Sequence, residues 1–168
     1  RRSYYLLKWC PGSVNHYTMI QKLKQASTDN IKLQLLDWQQ AKSVAKMIRM
    51  TVFVVEQQVP ESEEWDNDDA SALHVLALVN GKTVGTARLT ENGKIGRMAV
   101  LKAYRKQGIA SLMLTKLIKA AKQQGLTKIS LHAQTHAQSF YAEHGFVADG
   151  ETFSEAGIPH IKMQLFIN

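Results

Sequence analysis

Arg105-Lys106-Gln107-Gly108-Ile109-Ala110 follows an apolar strand-like run and opens an amphipathic helical stretch, a context in which a chain can cradle a phosphate. A helix start carries up to about four backbone N–H groups without intrahelical partners, and the aligned peptide dipoles leave that end partially positive. Gly108 lets the backbone approach an anion without a Cβ in the way, Ala110 intrudes little more, and Arg105 and Lys106 add charge at the entrance. A plain turn would use the same glycine, so the surrounding elements carry the weight of the assignment. His132 and His136 are four apart but straddle a strand end and a helix start, so they make no metal pair. No Cys/His cluster or Asp-rich calcium loop occurs either, and no metal is expected.

The elements that must position this loop are legible from periodicity. Residues 31 to 36 alternate as a strand, and Asp37 with Gln40 forms a capping box opening a helix through about residue 50, with Val44, Met47 and Ile48 as its apolar stripe. Residues 52 to 60 read as a connection. Leu73 to Val79, Thr83 to Leu89 and Ile95 to Leu101 read as strands of a meander, turned at Asn80-Gly81 and Asn92-Gly93. The helix after the loop carries Ile109, Leu112, Met113, Leu117, Ala120 and Ala121 on one face and stops at Gly125. A strand from Lys128 to Ala133 follows, then a capping box of Thr135 and Gln138 with a brief helix to His144-Gly145. Strands from Phe146 to Phe153 and Ile161 to Ile167 finish the chain. The order β-α-β-β-β-α-β-α-β-β predicts an α/β fold: a mixed, mostly antiparallel sheet with helices on both faces. Residues 1–30 read as an N-terminal extension of uncertain structure, and residues 31–168 as one domain.

Composition narrows the partners. The formal charge is +7, but residues 1 to 30 hold five Lys/Arg against one acid, a net of +4, which leaves +3 for the rest. No dense basic run with interleaved aromatics occurs beyond the leader, so nucleic acid is not expected as a partner. No run approaches the ~20 apolar residues of a membrane span, and Cys10 is the only cysteine. The expectation is a cytoplasmic protein with no membrane partner, present as a monomer or homodimer.

The pattern Arg/Gln-x-x-Gly-x-Gly/Ala between a strand and a helix resembles the pyrophosphate loop of the GNAT superfamily of acyl-CoA-dependent N-acyltransferases. From about residue 32 to 168 the chain resembles the ElaA-like branch, through Val52-Phe53-Val54-Val55-Glu56-Gln57, Ile95-Gly96-Arg97, Ala133-Gln134 with Phe140-Tyr141, and Gly157-Ile158-Pro159-His160 with Met163. The resemblance implies the GNAT fold, with acetyl-CoA as co-substrate. It implies that the strand before the loop splays from its neighbour, so that Met98, Ala99 and Val100 pair with the pantetheine arm while the backbone of Gln107, Gly108, Ile109 and Ala110 holds the pyrophosphate. An edge amide near Ala99 then polarises the thioester carbonyl. Gln134 stands where the superfamily often has Asn, and Gln138 is placed with it on the cofactor side. Tyr141 occupies the position of a tyrosine that reaches the CoA sulfur; a phenol with a pKa of about 10 can hydrogen-bond a leaving thiolate whose own pKa is about 8.5.

An amine must be neutral to attack, yet an alkyl ammonium has a pKa of about 10.4, so a base or a water relay is required. Glu56 is the first candidate and His160 the second. Glu56 equally fits a structural role, capping a helix or pairing with Arg97, and His160 fits a hydrogen-bonded turn. Between Glu56 and Asp69 lie seven of the chain's 14 acids and no Lys or Arg, either to attract a cationic acceptor or as a solvated loop with N-cap aspartates. The reading that results is an N-acetyltransferase acting on a small-molecule or peptide primary amine. A non-catalytic acyl-CoA sensor and an enzyme for another acyl-CoA are the alternatives.

Overall fold

The computed structural model describes residues 30–167, so all but the last residue of the N-terminal extension, with Cys10 and its five Lys/Arg, lies outside the described residues. β1 (Ile31–Leu36) leads through Asp37 into α1 (Trp38–Arg49), and the Asp37 Oδ1 accepts the N–H of Gln40 at 2.9 Å, as the capping pattern requires. The helix does not end at residue 50. Met50–Glu56 continues it as a π-helical segment, with the Gln57 N–H donating to the Val52 carbonyl at 3.2 Å, where the valine-rich sequence reads as a connection. β-branched side chains lower helix propensity; burial overrides that here, because Val52 packs with Ile48 and Ala99 in one cluster.

A short helix α2 (Glu61–Glu64) and a 3-10 turn (Asn67–Ala70) occupy the acidic stretch. Then come β2 (Leu73–Val79), β3 (Lys82–Leu89), β4 (Ile95–Val100), α3 (Ile109–Gln123), β5 (Lys128–Gln134), α4 (Gln138–Glu143), β6 (Val147–Glu155) and β7 (Ile158–Phe166). The expected Thr135 capping box is not formed: Thr135–Ala137 is a 3-10 turn, and no side chain caps α4. β7 begins at Ile158, earlier than expected, so His160 sits inside a strand rather than at its start.

β1 to β4 form one antiparallel sheet in sequence order, and β5, β7 and β6 form a second. Helices cover both faces, as predicted. Ala41 and Ala45 of α1 bury Leu76 on one side, while Val75 and Ala77 turn the other way into the core shared with Leu114, Leu117 and Ala121 of α3. The two sheets touch through a single parallel bridge between Lys94 and Ser130, reinforced by the Ser130 N–H on the Gly93 carbonyl at 2.9 Å. Gly93 is required at this junction. Its φ is +82°, and a Cβ there would lie 2.7 Å from the Lys128 carbonyl oxygen. Beyond the junction β4 and β5 share no ladder, and the gap between them is where the site lies.

Candidate active site

A cleft of about 810 Å³ opens between the two sheets, bounded by β4, β5, the start of α3 and α4. Its β4 wall is shaped by a bulge: pairing with β3 shifts between Thr86 and Arg88, and Arg97 takes a left-handed φ of +52°. Met98, Ala99 and Val100 all line the cleft. Leu101 donates its N–H to the Val84 carbonyl at 2.9 Å and Ala99 pairs with Thr86, so strand alternation turns the amides of Met98 and Val100 outward and that of Ala99 towards β3. The edge amides near Ala99 that open onto the cleft are therefore those of Met98 and Val100.

At the end of β4 the chain turns through Lys106 (φ +61°) and Gly108 (φ +80°) into α3, whose first turn has no side-chain cap. A Cβ on Gly108 would meet no protein atom within 4 Å, so within the protein the left-handed backbone demands the glycine, rather than crowding. Lys106, Gly108, Ile109 and Ala110 line the cleft; Gln107 and Gln138 do not, contrary to their predicted place. The Gln107 amide is turned back onto the Ala103 carbonyl at 3.2 Å. Arg105 lines the cleft, as expected, but with its charge engaged. It is not a free charge at the entrance but a clamp, donating Nε to the Val100 carbonyl at 2.9 Å and Nη2 to Glu56 Oε2 at 2.7 Å, with a second bond to Glu56 Oε1.

Glu56 therefore pairs with Arg105 rather than with Arg97, and it does not line the cleft. The Arg105 hydrogen bond holds its carboxyl below the usual carboxylate range, which makes it a poor proton acceptor. The neighbouring Gln57 does face the cleft and accepts the Gln134 amide at 2.9 Å, tying the π-helical segment to the end of β5.

Tyr141 of α4 points its hydroxyl at the Met98 sulfur, 3.8 Å away, and burial pushes its phenol up to about 12. One turn on, His144 donates Nδ1–H to the Phe140 carbonyl at 2.8 Å, which leaves Nε2 to accept the Ser111 hydroxyl and fastens α4 to the first turn of α3. At the far end of the cleft, His160 is buried, with Nδ1–H on the Ile158 carbonyl at 2.8 Å, and His132 shares its Nδ1 proton with Glu155 Oε2 at 2.7 Å.

Residues 28–167 match the acetyltransferase (GNAT) domain family. The chain belongs to that family. It is 38% identical over 120 residues to the uncharacterized N-acetyltransferase YjcF of Bacillus subtilis, covering 69% of this chain and 86% of that protein. Protein ElaA of Escherichia coli is 34% identical over 125 residues, covering 69% of this chain and 81% of its own length. The crystal structure of Escherichia coli ElaA superposes with a TM-score of 0.73 at 29% identity over 80% of this chain and 98% of that one. An acyl-CoA N-acyltransferase from Pseudomonas aeruginosa gives 0.69 at 30% identity, over 80% of this chain and 98% of that one. The GNAT fold, the ElaA-like resemblance and an acyltransferase activity follow.

In the acidic segment of this GNAT domain Glu61, Glu63 and Asp68 stay exposed, Asp66 caps the 3-10 turn, and Glu63, Glu64, Asp66 and Asp68 line the cleft, while its inner carboxylates form an ion-pair network. Glu64 and Asp69 are buried and both bind Arg49, while Asp66 and Asp69 bind Arg88. Asp66 also accepts Arg97 at 3.0 Å. Arg49 lies over the Trp65 ring, 4.9 Å from its centroid. Burial raises the Glu64 carboxyl above its ordinary range against the pull of Arg49 and Arg97. Asp66, though burial would raise it too, is held low by Arg88. The sequence does carry a signal for this network: Arg88 interrupts the otherwise apolar, small-residue end of β3, and a buried arginine needs carboxylates. Glu155 gives no comparable signal, because nothing in its local pattern points at His132.

Proposed function

We propose that the chain transfers an acetyl group from acetyl-CoA directly to the primary amine of a small molecule or peptide. Members of this fold family use an acyl-CoA as co-substrate, and the residues present fit one. The observation that carries the reading is the unpaired edge of β4 running straight into the uncapped, glycine-initiated start of α3. An extended pantetheine amide chain would pair with the outward groups of Met98 and Val100 as a further strand, and the pyrophosphate would take the free N–H groups that open α3. That places the thioester near Tyr141, whose hydroxyl keeps its proton through neutral pH and hydrogen-bonds a sulfur acceptor where charge develops as the thiolate leaves. Glu56 serves by fixing Arg105, and so the loop. His132 and His160, on β5 and β7, are two imidazoles within reach of an amine at the other end.

Calorimetry with acetyl-CoA, with CoA and with a CoA analogue lacking the pyrophosphate tests the reading. Tight binding of the first two and loss of the third is expected, followed by CoA release in an amine-acceptor screen. Binding that ignores the pyrophosphate would overturn the loop assignment. Binding without turnover on any amine would favour an acyl-CoA sensor.

A further inference from the structure

We propose that His132 and Glu155 act as a pair that takes the proton from the incoming ammonium, the imidazole as accepting base and the carboxylate as its positioning partner. The inference rests on the acyl-transfer reading above and names the base that reading requires.

Of the four imidazoles that line the cleft, His144 is committed to Ser111 and His136 sits on the exposed 3-10 turn before α4; the partners of the other two, His160 and His132, separate them. His160 holds its Nδ1 proton against a neutral backbone carbonyl, Ile158, at 2.8 Å. His132 holds its Nδ1 proton against a carboxylate, Glu155, at 2.7 Å. A carboxylate stabilises the imidazolium that forms when Nε2 picks up a proton, and a carbonyl does so far less. The ring of His132 is also fixed in direction: Phe153 meets it edge-on, with centroids 4.9 Å apart and an interplanar angle of 79°. With Nδ1 committed to Glu155, Nε2 is the nitrogen left for a substrate, and it has no partner among the described residues. His132 stays 31% exposed at its side chain and lines the cleft, as does Glu155. It lies on the same face of β5 as Gln134, across the gap from the strand assigned to the thioester.

The charges around the pair are accounted for. Burial would raise the Glu155 carboxyl, but the His132 hydrogen bond and the charges of His132, His160 and Lys94 hold it below the ordinary range, so it is ionised when the base works. Lys162 lies opposite His132 in the β5–β7 register and is occupied by Asp149 at 2.7 Å.

The step balances. The ammonium gives one proton to His132 Nε2, and the freed lone pair forms the C–N bond at the acetyl carbonyl carbon. The C–S bond breaks with its electron pair on sulfur. The second nitrogen proton reaches the thiolate by way of the Tyr141 hydroxyl, and the imidazolium returns its proton to water.

The test compares wild type with His132→Gln, Glu155→Gln and His160→Gln, measuring acetyl-CoA affinity by calorimetry and acetyl transfer to two probes. Ethanolamine arrives as an ammonium ion at neutral pH, and hydroxylamine arrives neutral. His132→Gln is expected to lose about 10²-fold in kcat/KM with ethanolamine and only a few-fold with hydroxylamine, at unchanged acetyl-CoA affinity. Glu155→Gln should show the same ethanolamine-selective loss at unchanged acetyl-CoA affinity, because the imidazolium loses its stabilising charge. His160→Gln should lower transfer to ethanolamine and to hydroxylamine by the same factor. Equal losses of His132→Gln on both probes, a wild-type rate in that variant, an ethanolamine-selective loss in His160→Gln alone, or transfer to neither probe by an acetyl-CoA-bound wild type would each overturn the assignment. Wild type that binds no acetyl-CoA would overturn the acyl-transfer reading itself, and this inference with it.

Discussion

The Tyr141 hydroxyl and the Met98 sulfur face each other across the cleft at 3.8 Å, one from α4 and one from the bulged edge of β4. The two residues are 43 apart in sequence, and the contact brings a buried proton donor to the strand proposed to hold the thioester. A thioether is a weak acceptor, so a leaving thiolate would be a better partner for the same hydroxyl.

Replacing Tyr141 with Phe should lower kcat by about 10²-fold and leave acetyl-CoA affinity nearly intact. Because burial pushes the phenol up to about 12, wild type should show no alkaline limb from Tyr141 below about pH 10. Steady-state rates with calorimetry check both statements; equal rates in the two proteins would remove the donor role.

Two substitutions at Gly108 should separate backbone strain from ligand exclusion. Gly108→Ala meets no protein atom but must hold φ at +80°, which costs about 1–2 kcal/mol and a few degrees in Tm. Gly108→Glu adds a carboxylate at the phosphate site, and acetyl-CoA binding should be lost. Thermal melts and calorimetry on both proteins distinguish the effects.

Glu56→Gln should raise the KM for acetyl-CoA several-fold without changing the pH profile of kcat, since Glu56 fixes Arg105 and takes no proton. The sign of its own titration follows from Arg105: a carboxyl held low in the folded chain contributes above its ordinary pKa and is lost as pH falls through the folded value. Wild-type acetyl-CoA affinity should therefore hold through neutrality and fall only in acid, below the ordinary carboxylate range, while the variant shows no such step. A shifted neutral-pH limb in kcat would restore Glu56 as a base.

Arg49→Met should cost about 3–5 kcal/mol, because it leaves Glu64 and Asp69 buried without one of their cations. Glu64 is already raised by burial, and without Arg49 it is raised further. The deficit should shrink as pH falls and the carboxyl takes up a proton. Urea unfolding at two pH values measures both.

Much of this architecture was legible in the chain because strand alternation, helix stripes and glycine turns are local. The order of elements along the chain, the apolar helix faces and the turn at Gly108 all follow from patterns a few residues long; that the strands divide into two antiparallel sheets rather than one mixed sheet does not. What escaped were relationships between distant segments. Glu56 and Arg105 are 49 residues apart, Gln57 and Gln134 are 77 apart, and His132 and Glu155 are 23 apart; each pair meets only through the tertiary packing of separate elements. The π-helical extension escaped for another reason. Its valines favour strand by propensity, and the burial of Val52 beside Ile48 and Ala99 opposes that preference, although Val55 stays exposed. The outward amides of β4 depend on one bulge at Arg97, a position whose side chain gives no hint of its backbone.

A strand with an unpaired flank is ordinarily a hazard, since its open donors and acceptors can recruit another chain and seed aggregation. Here the sheets join at Gly93 and then part, so the vulnerable flank of β4 looks inward into a crevice instead of outward from the molecule. A crevice wide enough for one slender arm gives a second folded copy little room to dock edge to edge. The shape that keeps the backbone available to a small guest thus also shields the protein from itself.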